Sequence, residues 1–207
     1  MRNQNAGKMR TKMKTTHVIY LGGDSYPADQ PNEHTILHAL ARYPHIRTYS
    51  QRLLIERSSL FSEEDWRHIP LRLEVTHDFC SQLNGEDIIL IGRSSGARVA
   101  TLYASTHPIK AVICLGYPFQ NPEEGPDPSR YSHLSRLSSP TLIIQGTSDV
   151  YGNSETLEQY RLPSTIGVDS IETNHEFNMP NDSWDRVVDR IRSFITEISL
   201  ENNFIHQ

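Results

Sequence analysis

Three stretches of this chain are apolar almost without interruption: Ile88-Ile89-Leu90-Ile91, Ala111-Val112-Ile113-Cys114-Leu115 and Thr141-Leu142-Ile143-Ile144. A strand with one face in water alternates apolar and polar residues, so a strand without that alternation is covered on both faces. Helices flanking a parallel sheet supply such cover, and the intervening segments carry helical spacing. Leu71, Val75, Phe79 and Leu83 recur every four residues before Asn84-Gly85, a helix stop. A second helix is predicted from Ser95 to Thr106, ahead of Pro108. Ser183 reads as the cap of a third, with Trp184, Val187, Val188, Ile191, Phe194, Ile195 and Ile198 on one face. Nearer the start, Pro31 suits a first helical turn, followed by Ile36, Leu37, Leu40 and Ala41. His17–Leu21 reads as a strand ending at Gly22-Gly23, with weaker strands at Ile46–Tyr49 and Ile166–Ile171. Residues 51–70 carry little pattern beyond Ser62 before Glu63, Glu64 and Asp65, a helix-start signature. The expectation is an α/β fold: a mostly parallel central sheet of about six strands, helices on both faces, and no large cap domain.

A length of 207 residues suits one domain, and neither a repeat nor a dividing linker is visible. Residues 1–16, with Arg2, Lys8, Arg10, Lys12 and Lys14 among polar neighbours, read as a disordered basic tail. No apolar stretch follows them, so they are not read as a secretory signal. Residues 17–200 are expected to form a single domain, and 201–207 a C-terminal tail. A net charge of −5 argues against nucleic acid or an anionic membrane as partner. No apolar run approaches the length of a membrane span. Cys80 falls in a predicted helix and Cys114 in a predicted buried strand, so no disulfide and a reducing, cytoplasmic location are expected. Without zinc-like Cys or His spacing, a P-loop or a dinucleotide fingerprint, neither metal nor cofactor is expected.

In parallel sheets of this kind ligands sit beyond the carboxyl ends of the strands. There, between the most apolar strand and a helix, lies Gly92-Arg93-Ser94-Ser95-Gly96, a G-x-S-x-G turn in a strand–turn–helix setting. The tightness of such a turn forces a strained conformation on Ser94, and side chains at positions 92 and 96 would collide. The strain lifts the Ser94 hydroxyl clear and aims the Ser95 amide at an oxyanion position. A serine needs a base, and the partners of such a turn follow in the order Ser, Asp or Glu, His. Asp149, after the 141–144 strand, and His175, after the 166–171 strand, have those addresses. Asp169 and Asp182 are the alternatives for the acid. The second oxyanion donor is expected from the first loop, Gly22-Gly23-Asp24-Ser25, through the amide of Gly23 or Asp24. The Asp24 carboxylate must then turn away, toward a cation. Tyr117 and Phe119 are candidates for lining the substrate pocket. The segment from Tyr117 to Ser139, with four prolines and three acids, reads either as a lid with an acidic rim or as a solvated loop.

Gly92-Arg93-Ser94-Ser95-Gly96-Ala97-Arg98, Cys114-Leu115-Gly116-Tyr117-Pro118 and Gln145-Gly146-Thr147-Ser148-Asp149 together resemble a small α/β-hydrolase family. It includes testis-expressed hydrolase-like proteins, a histone-acetyltransferase-complex subunit and bacterial members. The stretch from Ser94 to His107 is also similar to the retinoblastoma-binding-protein type of small serine hydrolase. The resemblance spans His17 to about Ile198 and implies an α/β-hydrolase sheet of nearly minimal size. It implies no single substrate, and some relatives act as interaction subunits. The first loop, Leu21-Gly22-Gly23-Asp24, departs from the family by lacking a His-Gly start. Two functions follow as expectations. One is a serine hydrolase cleaving a small ester, thioester or amide through an acyl-enzyme on Ser94. The other is a catalytically inactive scaffold that takes a protein partner.

Overall fold

In the computed structural model, residues 14–58, 63–83, 85–153 and 157–204 are described. In chain order the strands are β1 (Thr16–Leu21), β2 (Ile46–Tyr49), β3 (Asp87–Arg93), β4 (Ala111–Leu115), β5 (Gln120–Asn121), β6 (Gly125–Pro126), β7 (Thr141–Gly146) and β8 (Ile166–Ile171). The helices are α1 (Gln30–Leu40), α2 (Gln51–Arg57), α3 (Ile69–Ser81), α4 (Ser95–Ala104), α5 (Pro128–Tyr131) and α6 (Asn181–Phe204). Six strands form one sheet in the order β2-β1-β3-β4-β7-β8, every neighbouring pair parallel. β5 and β6 make a separate two-residue antiparallel hairpin. The chain leaves β1 toward β2 on one side and returns to β3 on the other. Between the carboxyl ends of β1 and β3 it therefore opens the crevice at which such sheets bind ligands.

The apolar runs read from the sequence are the middle of this sheet. Along β4, Ala111, Ile113 and Leu115 face the core packed by α1 and α6, while Val112 and Cys114 face the one packed by α3 and α4. A period of two feeding two cores is why no polar residue appears in the run. Both cysteines are free and buried.

Several boundaries differ from expectation. β1 begins at Thr16, inside the expected tail, and residues 1–13 lie outside the described ones. α6 begins at Asn181, putting Ser183 in its first turn rather than at the cap, and runs to Phe204, past the expected end at 200. Ser62 and Asn84 lie outside the described residues. Glu63–Arg67 forms a 3-10 turn, and α3 starts only at Ile69. The patternless region contains α2, capped by Ser50, whose Oγ accepts from the Leu53 amide at 3.2 Å. On α3 the buried stripe is Arg72, Val75, Thr76, Phe79 and Cys80, so the predicted face is rotated to include a cation. The segment after β4 is short hairpin, α5 and a 3-10 turn at Ser132–Arg136, pinned by buried Tyr117, Phe119, His133, Leu134 and Leu137. Among the described residues no helix is long and apolar enough to cross a membrane.

Candidate active site

Ser94 joins β3 to α4 with φ 50° and ψ −121°, a region a residue with a side chain adopts only under constraint. The constraint comes from both glycines of the turn. A Cβ on Gly96 would stand 1.9 Å from the Leu21 carbonyl oxygen, and one on Gly92 would stand 2.4 Å from the Gly96 carbonyl oxygen. The Ser94 amide donates to the Leu115 carbonyl at 3.0 Å, so the turn is continuous with the β3–β4 ladder.

The Ser94 Oγ lies 2.8 Å from His175 Nε2, and His175 Nδ1 lies 2.9 and 2.8 Å from the two carboxylate oxygens of Asp149. Ser94 is half-buried, whereas Asp149 and His175 are 1% and 7% exposed. Their loops are held together by continued pairing beyond β7 and β8. Thr147 donates to Ile171 O at 2.9 Å and Ser148 to Thr173 O at 3.1 Å. Asp149 also accepts from the Tyr151 amide at 2.8 Å and from Gln145 Nε2 at 3.0 Å, so hydrogen bonds fix both carboxylate oxygens. The Tyr151 ring packs on the imidazole with centroids 4.2 Å apart. A carboxylate on Nδ1 selects the tautomer whose Nε2 accepts the serine proton. The alternatives for the acid are engaged elsewhere: Asp169 pairs with Arg190, and Asp182 accepts from the Ser183 amide at 2.9 Å.

The Ser95 amide opens α4, where it has no intrahelical acceptor. Of the first-loop amides, Gly23 N–H is already committed to Asp29 Oδ2 at 2.7 Å, so it is withdrawn as an oxyanion donor. Asp24 N–H has no acceptor among the described residues, and it is the remaining candidate. Its carboxylate accepts from Ser95 Oγ at 2.6 Å and lies 3.6 Å from Arg72 Nη1, the cation expected to draw it aside. Tyr117 and Phe119, expected to line a pocket, are both fully buried and tilted against each other at 4.6 Å. Tyr117 is tied to the site through its backbone, whose N–H donates to Gln145 Oε1 at 2.9 Å, while its hydroxyl donates to Arg130 O.

Three residues at the site are given no role by the sequence pattern, although Arg93 and Gln145 lie inside its motifs. Arg72 is fully buried on α3, donates to Ser95 Oγ at 2.8 Å and to Gly22 O, and lies 4.5 Å over the Trp66 ring. Burial lowers its pKa to about 10, which leaves it charged at neutral pH. Gln145 ends β7 with its amide shared among Asp149, Tyr117 and Gly152. Arg93, inside the G-x-S-x-G turn, is 2% exposed and pairs with Glu176.

Residues 64–201 match a family model described as an alpha/beta hydrolase domain. No curated protein matches the chain in sequence. Among solved structures it is similar to Est1E from Butyrivibrio proteoclasticus with ferulic acid bound: 14% identity over 93% of this chain and 92% of that one, TM-score 0.66. It is also similar to CarC, a serine hydrolase involved in carbazole degradation, at 17% identity over 89% and 92%, TM-score 0.62. A third is a membrane phospholipase A described as a bacterial virulence factor, at 15% identity over 89% and 80%, TM-score 0.63. At these identities the likeness is one of fold.

Proposed function

The chain belongs to the alpha/beta hydrolase domain family, and from that premise we propose that it is a serine hydrolase cleaving small esters, thioesters or amides through an acyl-enzyme. The observation that carries this reading is the unbroken line from Ser94 Oγ through His175 to Asp149, with contacts of 2.8 to 2.9 Å, on a serine held at φ 50°. Ser94 Oγ attacks the substrate carbonyl carbon while its proton passes to His175 Nε2. The tetrahedral oxyanion is held by the Ser95 and Asp24 amides. Collapse breaks the bond to the leaving group, which takes the proton from His175 as alcohol, thiol or amine. A water then repeats the sequence: its proton goes to His175, its oxygen to the acyl carbon, and Ser94 is released. Asp149 keeps its charge throughout and stabilises the imidazolium.

Among the described residues no large cap covers the site, and short acyl chains suit it better than long lipids. The partner is a small acyl compound, and the reducing, cytoplasmic setting read from the two cysteines belongs to the same proposal. So do the narrower likenesses, that of the three motifs to the testis-expressed type and that of the Ser94 to His107 stretch to the retinoblastoma-binding-protein type.

The test is labelling with a fluorophosphonate, which reacts with an activated serine. The expected result is labelling of the wild type and none of Ser94→Ala or His175→Ala, both folded by circular dichroism. Hydrolysis of short p-nitrophenyl esters should disappear in the same variants. A folded wild type that neither labels nor hydrolyses overturns the reading in favour of a scaffold that binds a protein partner.

A further inference from the structure

Arg93 occupies a position at which the G-x-S-x-G pattern specifies nothing, yet its side chain is only 3% exposed. Burying a guanidinium is costly unless its donors find partners; both terminal nitrogens of Arg93 have them, while its buried Nε has none among the described residues. Here the two ends of the fork diverge. Nη1 donates to Ser25 Oγ at 3.1 Å, and Nη2 donates to the His175 carbonyl at 3.2 Å and to the Glu176 carboxylate. Nη1 also lies under Gly23, where an added Cβ would approach it to 2.7 Å. The partners are remote in sequence: Ser25 lies 68 residues before Arg93, and His175 lies 82 after it.

From this geometry we infer that Arg93 is a positioning residue, fixing the oxyanion loop and the histidine loop against the nucleophile to which it is bonded. The inference rests on the serine-hydrolase reading. The two loops follow β1 and β8, which lie in one sheet with β3, β4 and β7 between them, so no direct ladder sets the spacing of the loops beyond their ends. A rigid planar fork does set it, because moving either loop breaks a bond to the same group. With its side chain buried, Arg93 acts through these loops rather than on the substrate. It holds the Asp24 end of the oxyanion site and the His175 backbone at fixed distances from Ser94 Oγ. A displacement of about 1 Å at such a site costs roughly 100-fold in rate. Glu176 balances the buried charge beside the base, and lysine could not replace the fork, because one ammonium cannot span both loops.

The experiment compares kcat and KM on a short p-nitrophenyl ester, with fluorophosphonate labelling rates, for wild type, Arg93→Met, Arg93→Lys, Glu176→Gln and Ser25→Ala. Arg93→Met is expected to lower kcat and labelling roughly 100-fold, with KM within about threefold of wild type. Arg93→Lys should recover only part of that loss. Glu176→Gln and Ser25→Ala, at exposed positions, should each lower kcat several-fold, and neither should have an effect in the Arg93→Met background. Wild-type kcat in a folded Arg93→Met overturns the inference. Should Arg93→Met not fold, wild-type kcat in both Glu176→Gln and Ser25→Ala overturns it equally. A folded wild type that neither labels nor hydrolyses overturns the hydrolase reading and this inference together. A labelled wild type with kinetically silent variants overturns this inference alone.

Discussion

At Gly96 the absence of a side chain is a requirement of packing. An alanine Cβ would meet the Leu21 carbonyl at 1.9 Å and the Gly22 carbonyl at 2.5 Å, and both belong to backbone that cannot rotate aside. Gly96→Ala is therefore expected to destabilise the protein by about 3 kcal/mol or more, the upper end of overpacking costs. Gly167, on exposed β8 backbone with nothing within 4 Å of its added Cβ, gives the opposite sign. Gly167→Ala should stabilise by about 0.5–1 kcal/mol, since a strand glycine carries excess chain entropy. Urea unfolding of the pair checks both, and equal effects would refute the steric account. The elbow was readable from sequence because its determinants lie within five residues. The meeting of Asp149 and His175 with Ser94 is legible through chain order and strand ends. Between Gly23 and Asp24 the sequence does not choose, because the amide of Gly23 donates to Asp29, whose side-chain direction leaves no trace in the sequence. Tyr117 and Phe119 have the right address but point into the core, a distinction that depends on packing from the 131–160 region.

At the scale of elements, apolar runs identified the sheet because two-sided burial is written directly into composition. Helices with a polar residue on the buried face were harder. The spacing predicts Leu71, Val75, Phe79 and Leu83 inward, but the buried stripe of α3 is Arg72, Val75, Thr76, Phe79 and Cys80. A cation there reads as solvent-facing until its acceptors, Gly22 O and Ser95 Oγ, arrive from 50 residues upstream and 23 downstream. Arg72 thereby ties α3 to the loop after β1 and to the start of α4. Arg72→Met, which keeps the bulk over Trp66 and removes the donors, leaves the Gly22 carbonyl without its buried partner. The expected cost is about 2–4 kcal/mol, read as a lower urea midpoint at unchanged m. Asp24→Asn, at the exposed end of the same group, should cost under about 1 kcal/mol. A larger loss at Asp24 than at Arg72 would mean that the ion pair, rather than the backbone acceptor, holds these elements together.

For the molecule as a whole, two buried groups on different elements bind protons in opposite senses. Burial, reinforced by Asp29 and opposed by the Gln51 amide, raises Glu33 on α1 from 4.5 to about 7. Burial, with Arg98 and Arg136 nearby, lowers His133 from 6.5 to about 4. A raised carboxyl contributes stability that is complete below the unfolded value of 4.5 and is lost as pH rises toward about 7. A lowered histidine contributes stability that is complete above 6.5 and is lost as pH falls toward about 4. Between pH 4.5 and 6.5 the folded chain carries its extra proton on Glu33 and the unfolded chain on His133, so the two slopes cancel. His17, also lowered by burial, acts in the same sense as His133. Single substitutions should unmask each slope. Glu33→Gln, which keeps an acceptor for the Gln51 amide at 2.7 Å, leaves His133 unopposed. Its stability should climb with pH through this window by up to about 1.4 kcal/mol per unit. His133→Gln, which keeps a partner for Thr101 Oγ1 at 2.9 Å, should instead lose stability as pH rises, by a similar amount per unit. Urea unfolding at half-unit steps distinguishes these outcomes. Parallel pH profiles for wild type and both variants would mean that neither Glu33 nor His133 exchanges a proton on unfolding, and that their burial leaves no mark on the pH dependence of stability.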